Sequence, residues 1–210
     1  MKVAILSESP ADEAALQILV GGILGKPVDF ADRPLRLRQG GWPSVHHLLP
    51  TVLKHLHYQT DTDALVVTVD SDNSPAHNVA VDREQCSGAG CRLCRLHQTV
   101  DRVQAKLKSG NRMRIRVAIG LAVPAIEAWY LCGIDQHATE AAMLRRLKSE
   151  HHVDVKNALK SQVYGTHRPG LVLETSKAVE AASRLAGSLD ALSRHFPCGF
   201  GSLLSECRAW

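Results

Sequence analysis

The sequence predicts an α/β protein in which a mostly parallel sheet is flanked by helices. Short apolar runs alternate with segments of helical periodicity through about residue 133. One run, ALVVTVD at residues 64–70, is continuously apolar and rich in β-branched residues, which is typical of a strand buried on both faces. The chain has 210 residues and 45% apolar content, so it can fill a sizeable core.

The first half of the chain gives two strand-helix pairs in order. KVAILS reads as a strand, and ADEAALQILVGGILG as a helix that Gly25 and Pro27 end. VDFADRPLRLR is a candidate second strand, broken by Pro34. GGWPSVHHLLPTVLKHLHYQ then predicts a helix with Ser44 as its cap and a kink at Pro50.

The second half begins with the strand ALVVTVD and a cysteine-rich insertion at about 77–98. TVDRVQAKLKSG predicts a helix, MRIRVAIGLAV a strand, and IEAWYLCG a helix that follows Pro124. Beyond residue 134 the amphipathic stretches ATEAAMLRRLKSEHH and LETSKAVEAASRLAGSLDALSRHF predict helices. We therefore expect a core over 1–133 and an α-helical C-terminal extension over 134–210 that packs on it.

Composition limits the class of protein and its compartment. The net charge of +4 and pI near 8.8 fit contact with an anionic partner without requiring one. No apolar run of about 18 residues and no basic-then-apolar leader occurs, so we expect no membrane span, no signal peptide and a cytoplasmic protein. Six cysteines in such a chain predict reduced thiols or metal ligands rather than structural disulfides.

Carboxylates follow two of the predicted strands. Glu8 comes after the first strand, and Asp70 and Asp72 come at the end of ALVVTVD. In an open parallel sheet ligands bind beyond the carboxyl ends of the strands, so these three side chains could converge on one Mg²⁺ or Mn²⁺ ion. The alternative is that they are turn or helix-capping residues.

This arrangement resembles the Toprim domain of topoisomerases, bacterial primases and nucleases of the overcoming-lysogenization-defect type. The resemblance covers about residues 1–133 and rests on "LSESPAD" as the glutamate motif and "VTVDSDN" as the Asp-x-Asp motif. Glycine usually follows the glutamate in that family, whereas Ser9 and Pro10 follow Glu8 here. Small stand-alone Toprim-like proteins of bacterial and phage-defence loci are the most similar, because they carry a segment like "AVPAIEAWYL".

That segment makes Glu127 a further candidate metal ligand or catalytic residue, although it could also be a carboxylate that stabilises the start of a helix. Asp12 and Glu13 fit the first turn of a helix better than the site.

The resemblance implies a metal-dependent nuclease, or a related phosphoryl-transfer enzyme, that acts on nucleic acid. Asp70 and Asp72 would hold the ion, and Glu8 would be a ligand or the general acid/base. A protein partner, such as an ATPase or another defence-system subunit, would fit this class. The alternatives are a non-catalytic accessory or sensor subunit and a small-molecule phosphatase or phosphotransferase with an aspartate nucleophile.

The cysteine-rich insertion contains four candidate zinc ligands. Cys86, Cys91, Cys94 and His97 could complete a tetrahedral structural site, with His77 as the substitute for His97. A redox pair or a solvated helix face are the alternatives for this spacing.

Basic residues of the C-terminal region are the candidates for substrate contacts. Arg145, Arg146 and Lys148 form one group, and Arg168 lies in the turn-prone segment VYGTHRPG. A solvated helix face would explain the first group equally well.

Overall fold

The computed structural model contains a four-stranded, all-parallel sheet with the strand order β2-β1-β3-β4. It describes residues 1–31, 41–75, 77, 83–88, 90–108 and 113–210. The strands are β1 (Lys2–Leu6), β2 (Asp29–Phe30), β3 (Ala64–Asp70) and β4 (Arg116–Ala122). The predicted α/β class with a parallel sheet is thus confirmed. The break expected at Pro34 lies outside the described residues.

Helices precede and follow these strands along the chain. They are α1 (Pro10–Leu24), α2 (Trp42–Gln59), α3 (Arg83–Gly88), α4 (Arg92–Gln104), α5 (Glu127–Tyr130), α6 (Glu140–Ser149), α7 (His152–Tyr164), α8 (Leu171–Leu185), α9 (Leu189–His195) and α10 (Phe200–Arg208). None of the helices in the described part of the chain is long and apolar enough to cross a membrane.

The centre of the sheet is β3, which pairs with β1 on one side and β4 on the other. Its residues 64–69 are all buried, as the continuous apolar run predicts. Helices α1 and α10 pack on one side of the sheet, and α2 and α4 pack on the other. All strands run in one direction, so their carboxyl ends share one edge of the sheet.

Local signals explain where α1 begins and ends. The Ser9 hydroxyl accepts a hydrogen bond from the main-chain nitrogen of Asp12, and Pro10 occupies the first turn. Gly25 ends the helix in the left-handed conformation, with φ of 59°. The prediction of this helix, with its end at Gly25, is confirmed.

Helix α2 differs from the prediction in its first turn. The helix begins after Gly41 rather than at a Ser44 cap, and the main-chain nitrogen of Ser44 donates to the carbonyl of Gly41. Gly41 has φ of 92°, a conformation that glycine adopts without steric cost. Pro50 lies inside the helix, which continues to Gln59.

The C-terminal helices share the hydrophobic core of the sheet. Helix α8 packs along α1, and α10 packs on β4 with Phe200 and Leu203 fully buried. The predicted amphipathic stretch from residue 173 to 196 divides into α8 and α9 near Gly187. A domain boundary at residue 133 stays a prediction, and the sequence patterns did not predict α7 or α10.

Candidate active site and metal centre

The carboxyl edge of the sheet brings Glu8 to the end of β3. Glu8 Oε1 accepts a hydrogen bond from the main-chain nitrogen of Asp70 at 3.0 Å. A Cβ atom built on Gly41 would lie 3.9 Å from Glu8 Oε2, so the start of α2 borders the same place. Two residues that are 62 positions apart in the sequence therefore meet at one edge, as the parallel topology requires.

Lys156, from α7, bridges the Asp-x-Asp pair. Its Nζ lies 2.9 Å from Asp70 Oδ2 and also donates to Asp72 Oδ1. Arg92, at the start of α4, donates to Asp72 Oδ2 at 2.7 Å and to the main-chain carbonyl of Asp70 at 2.6 Å. Two cations from different helices thus compensate the charge of this pair.

The backbone after β3 places Asp72 in an uncommon conformation. Its φ is 47°, in the left-handed region where aspartate is one of the better tolerated residues. The main-chain nitrogen of Asp72 donates to the carbonyl of Pro124 at 3.0 Å, and that of Ser71 donates to the carbonyl of Ala122 at 2.7 Å. Backbone hydrogen bonds between the β3 and β4 segments therefore continue beyond the end of β3, and they fix the turn that contains Asp72.

Two more carboxylates lie near the pair. Glu127, the first residue of α5, has a side chain that is 4% exposed and lies 3.8 Å from Lys160 Nζ. Asp12, in the first turn of α1, is close enough to Asp70 and Glu127 to interact with both. The backbone nitrogen of Ile126 donates to Asp70 Oδ1 at 3.0 Å, which holds the start of α5 against β3.

Burial and mutual repulsion raise the pKa values of most of these carboxyl groups. Burial, and then the charge of Asp70, raise the pKa of Glu8 to about 8 and that of Glu127 to about 7. The same two causes raise the pKa of Asp12 well above its ordinary value, and burial raises the pKa of Asp70. Burial also acts to raise the pKa of Asp72, but Lys156 and Arg92 outweigh it and lower that pKa.

One of the basic residues predicted to bind substrate, Lys148, shares a cleft with Asp72. It lines a cleft of about 490 Å³ together with Asp72, His151 and His152. Arg146 is held by Glu150, with two nitrogen-to-oxygen distances of 2.9 Å.

Arg145 and Arg168 are both exposed. Arg168 belongs to the α7–α8 loop, where its main-chain nitrogen donates to Thr166. The structure therefore brings one of the four predicted residues to a cleft beside Asp72.

The cysteine-rich segment forms a compact group of four possible metal ligands. His77 Nδ1 lies 3.3 Å from Cys94 Sγ, 3.6 Å from Cys86 Sγ and 4.0 Å from Cys91 Sγ. All four ligand atoms lie within 4.8 Å of one another, and the three cysteines are buried. This group, the His77 cluster, could bind a metal ion such as zinc.

His97 is not part of that cluster, although the sequence predicted it as the fourth ligand. Its Nε2 lies 3.4 Å from Glu206 Oε1 of α10. His97 lies one helical turn after Cys94 in α4, and its side chain contacts Glu206 of α10 instead of the cluster. His77, the substitute considered above, takes the position.

At Cys91 and Cys94 of the His77 cluster, burial favours the protonated thiol when no cation is bound. Burial raises the pKa of the Cys91 and Cys94 thiols above the ordinary value, and nearby cysteines add to the rise at Cys94. A bound divalent cation reverses this preference, because a coordinating thiol is deprotonated.

Three cations of the carboxylate site were missed from the sequence. Lys156 and Lys160 lie four residues apart in α7, and Arg92 lies between two cysteines of the His77 cluster. The i,i+4 spacing of the two lysines, which puts both on one face of a helix, is the signal that could have indicated them.

No protein-family model, curated protein or solved structure matches this chain. The resemblance to the Toprim domain therefore remains a prediction from two motifs, and function has to be argued from the chemistry of the site.

Proposed function

We propose that this chain is an enzyme that depends on Mg²⁺ or Mn²⁺ and cleaves phosphodiester bonds in nucleic acid. The observation that carries the proposal is the meeting of Glu8, Asp70 and Asp72 at one sheet edge, with a lysine ammonium bridging the two aspartates. Open parallel sheets bind their ligands at this edge. The predicted Toprim motifs would put the same three carboxylates at the reaction centre.

The donor atoms suit a hard divalent cation. Every candidate ligand at the edge is a carboxylate, and carboxylate oxygens are the ligands that Mg²⁺ and Mn²⁺ prefer. Burial, and then repulsion by neighbouring carboxylates, raise the pKa values of Glu8 and Asp70, although Lys156 lowers both in part. A divalent cation would supply positive charge in place of protons.

The roles of the side chains follow from their partners. Asp70 and Asp72 would hold the ion, which would polarise the phosphate and stabilise the leaving oxyanion. Lys156 now neutralises both aspartates and would be released to contact a phosphate oxygen. Glu8, with a pKa of about 8, could exchange a proton near neutral pH as the general acid/base.

Zinc is the ion that we propose for the His77 cluster. A tetrahedral site with Zn–S of about 2.3 Å and Zn–N of about 2.0–2.1 Å requires nitrogen-to-sulfur separations of about 3.6 Å. The separations from His77 Nδ1, 3.3 to 4.0 Å, bracket that value. Four protein ligands leave no open position, so the ion would be structural.

Nucleic acid is the proposed substrate because cations and a cleft adjoin the carboxylates. Lys148 borders the cleft beside Asp72, and Arg145 is exposed on the same helix. Such side chains bind phosphates, with an affinity that falls steeply as salt increases. The Lys148→Ala variant should therefore bind nucleic acid more weakly at low salt.

Cleavage of plasmid and single-stranded DNA and RNA, with Mg²⁺ and with Mn²⁺, tests the proposal. Asp70→Asn, Asp72→Asn and Glu8→Gln should each lower the metal-dependent rate by about 100-fold or more. Glu13→Gln is the matched control, because Glu13 is a glutamate in the first turn of α1, shortly after Glu8, but lines a different surface pocket with Gln17 and Phe30. This control should retain the rate.

Other outcomes would support the alternative functions. Full activity of Glu8→Gln would remove the main support for a Toprim-like site. Nucleic-acid binding without cleavage in either metal would indicate a non-catalytic subunit. A trapped phospho-aspartate would indicate a phosphotransferase.

A further inference from the structure

Arg92 connects the His77 cluster to the carboxylate site. It lies directly between the cluster members Cys91 and Cys94 in the chain and is the first residue of α4. Its guanidinium donates to the carbonyl of Asp70 and to the carboxylate of Asp72. One side chain therefore links the two sites.

The guanidinium also contacts the start of α2. Arg92 Cζ lies 5.2 Å from the centre of the Trp42 ring, and that ring stacks on His46 at 4.9 Å. A cation over an indole face is a favourable contact. The side chain of Arg92 is only 12% exposed. Its position is defined by the Asp70 carbonyl, the Asp72 carboxylate and the Trp42 ring.

We propose that the metal ion of the His77 cluster fixes the first turn of α4 and thereby places Arg92 against Asp70, Asp72 and Trp42. Arg92 is then a positioning residue for the Asp-x-Asp pair, and the thiolate centre controls the carboxylate site through it. This inference rests on the proposed function and on the proposed zinc ion.

The start of α4 needs such an anchor. Its N-cap residue, Cys91, makes no side-chain capping hydrogen bond. Cys91 and Cys94 span one turn at the start of the helix, so an ion that binds both also fixes the backbone of the two residues between them, Arg92 and Leu93. A bound ion thus replaces the missing cap.

The carboxylate site in turn needs Arg92. Asp72 has a left-handed backbone, which costs free energy for a residue with a side chain. Arg92 binds Asp72 Oδ2 and leaves Oδ1 to Lys156, and it also binds the carbonyl of Asp70 two residues earlier. These bonds hold the turn between the two aspartates in one conformation.

The first test follows Trp42 by fluorine NMR in protein labelled with fluorotryptophan. The chain has three tryptophans, so Trp129 and Trp210 act as internal references. The purified protein should contain about one zinc per chain, and the Arg92→Ala variant should retain it, because Arg92 is not a ligand. Removing the zinc with a chelator should shift the Trp42 resonance, and Arg92→Ala should shift it in the same direction.

The decisive comparison is zinc removal from the Arg92→Ala protein, which should produce little further shift at Trp42. Arg95→Ala is the matched control, because Arg95 is exposed on the same turn of α4 and carries the same charge. Zinc removal from this control should shift Trp42 as it does in the unchanged protein. An equal shift in the Arg92→Ala background, or no shift in any background, overturns the proposal.

The second test measures Mn²⁺ binding to the carboxylate site by electron paramagnetic resonance. Zinc removal should change the Mn²⁺ dissociation constant by about fivefold or more in the unchanged protein and in Arg95→Ala. It should have no further effect in Arg92→Ala, since the two changes act through one contact. Equal effects in all three backgrounds would overturn the proposal.

The two measurements separate failure of this proposal from failure of the proposed function. If the Trp42 resonance responds to zinc removal but the protein binds no Mn²⁺, the proposed metal-dependent nuclease and the control of the carboxylate site are both rejected. The placement of Arg92 by zinc would still be supported. Mn²⁺ binding without a Trp42 response would keep the proposed function and reject the coupling.

Discussion

Glu8 keeps its proton over a pH range in which an exposed glutamate is ionised. Burial removes the carboxylate from water, and Asp70 and Asp72 repel its charge. The hydrogen bond from the backbone of Asp70 and the charge of Lys156 offset part of this cost. The protonation of Glu8 should therefore change the free energy of unfolding as a function of pH.

The free energy of unfolding should fall as pH rises from about 4.5, the ordinary pKa of glutamate, to about 8, its pKa in the fold. In that window the unfolded chain has released a proton that the native protein still binds, so each pH unit costs up to about 1.4 kcal/mol. Glu8→Gln removes this group and should flatten the slope in part, because Glu127 titrates in the same range.

Urea unfolding between pH 4.5 and pH 8.5, without divalent cations, measures this slope. An equally steep slope in Glu8→Gln would mean that Glu8 is ionised throughout, as a solvated turn residue would be.

At the scale of single elements, glycines set how closely the C-terminal helices approach the sheet. Gly199 precedes α10, and its main-chain nitrogen donates to Glu140 Oε2 at 3.1 Å. A Cβ atom at this position would overlap the backbone carbonyl of Leu121 in β4. The backbone of the loop before α10 therefore lies directly on β4.

Gly199→Ala should lower the free energy of unfolding by about 1–3 kcal/mol or more, because backbone atoms must move to admit the methyl group. Gly21→Ala is the matched control, since Gly21 is inside α1 and a Cβ atom there meets nothing within 4 Å. That variant should gain about 0.5–1 kcal/mol from helix propensity. Chemical denaturation measures the free energy of unfolding of both variants, and equal changes would contradict the close contact between Gly199 and the carbonyl of Leu121.

The elements that the sequence predicted well have a strong local pattern. The continuous run of β3 and the capped, periodic sequence of α1 each carry enough information in one segment. Helix α7 has a weaker pattern, because only Val155, Leu159 and Tyr164 are buried and Lys156 contacts a site made by distant segments. The choice of His77 over His97 likewise depends on the contact of His97 with Glu206 in α10, a distant part of the chain, which the spacing of the cysteines and histidines alone does not contain.

At the scale of the whole molecule, the candidate site and the core both depend on the C-terminal helices. Glu8, Asp70 and Asp72 come from the predicted core, but Lys156 comes from α7. Helices α8 and α10 cover α1 and β4 with buried apolar residues. A fragment of residues 1–133 would expose these surfaces and leave its carboxylates without Lys156.

That fragment should therefore lack a cooperative thermal transition, whereas the full chain should have one. The matched control is the full chain with Lys156→Ala and Lys160→Ala, which loses the two charges but keeps the packing. This control should unfold cooperatively at a lower temperature, because carboxylates lose their partners. Thermal unfolding followed by circular dichroism compares the fragment with the full-length variants. A cooperative transition of the fragment would support an independent domain that ends at residue 133.

The 84 positions that separate Asp72 from Lys156 also set an order of events during synthesis. At roughly 5 to 20 residues per second, a ribosome makes Lys156 roughly 4 to 17 s after the aspartates. For most of that interval the nascent chain already holds Glu8, Asp70, Asp72 and Arg92 but no α7, so protons or dissolved divalent cations must supply the charge that Lys156 later brings. The emergence of α7 then delivers the internal cation that completes the neutralisation of the site.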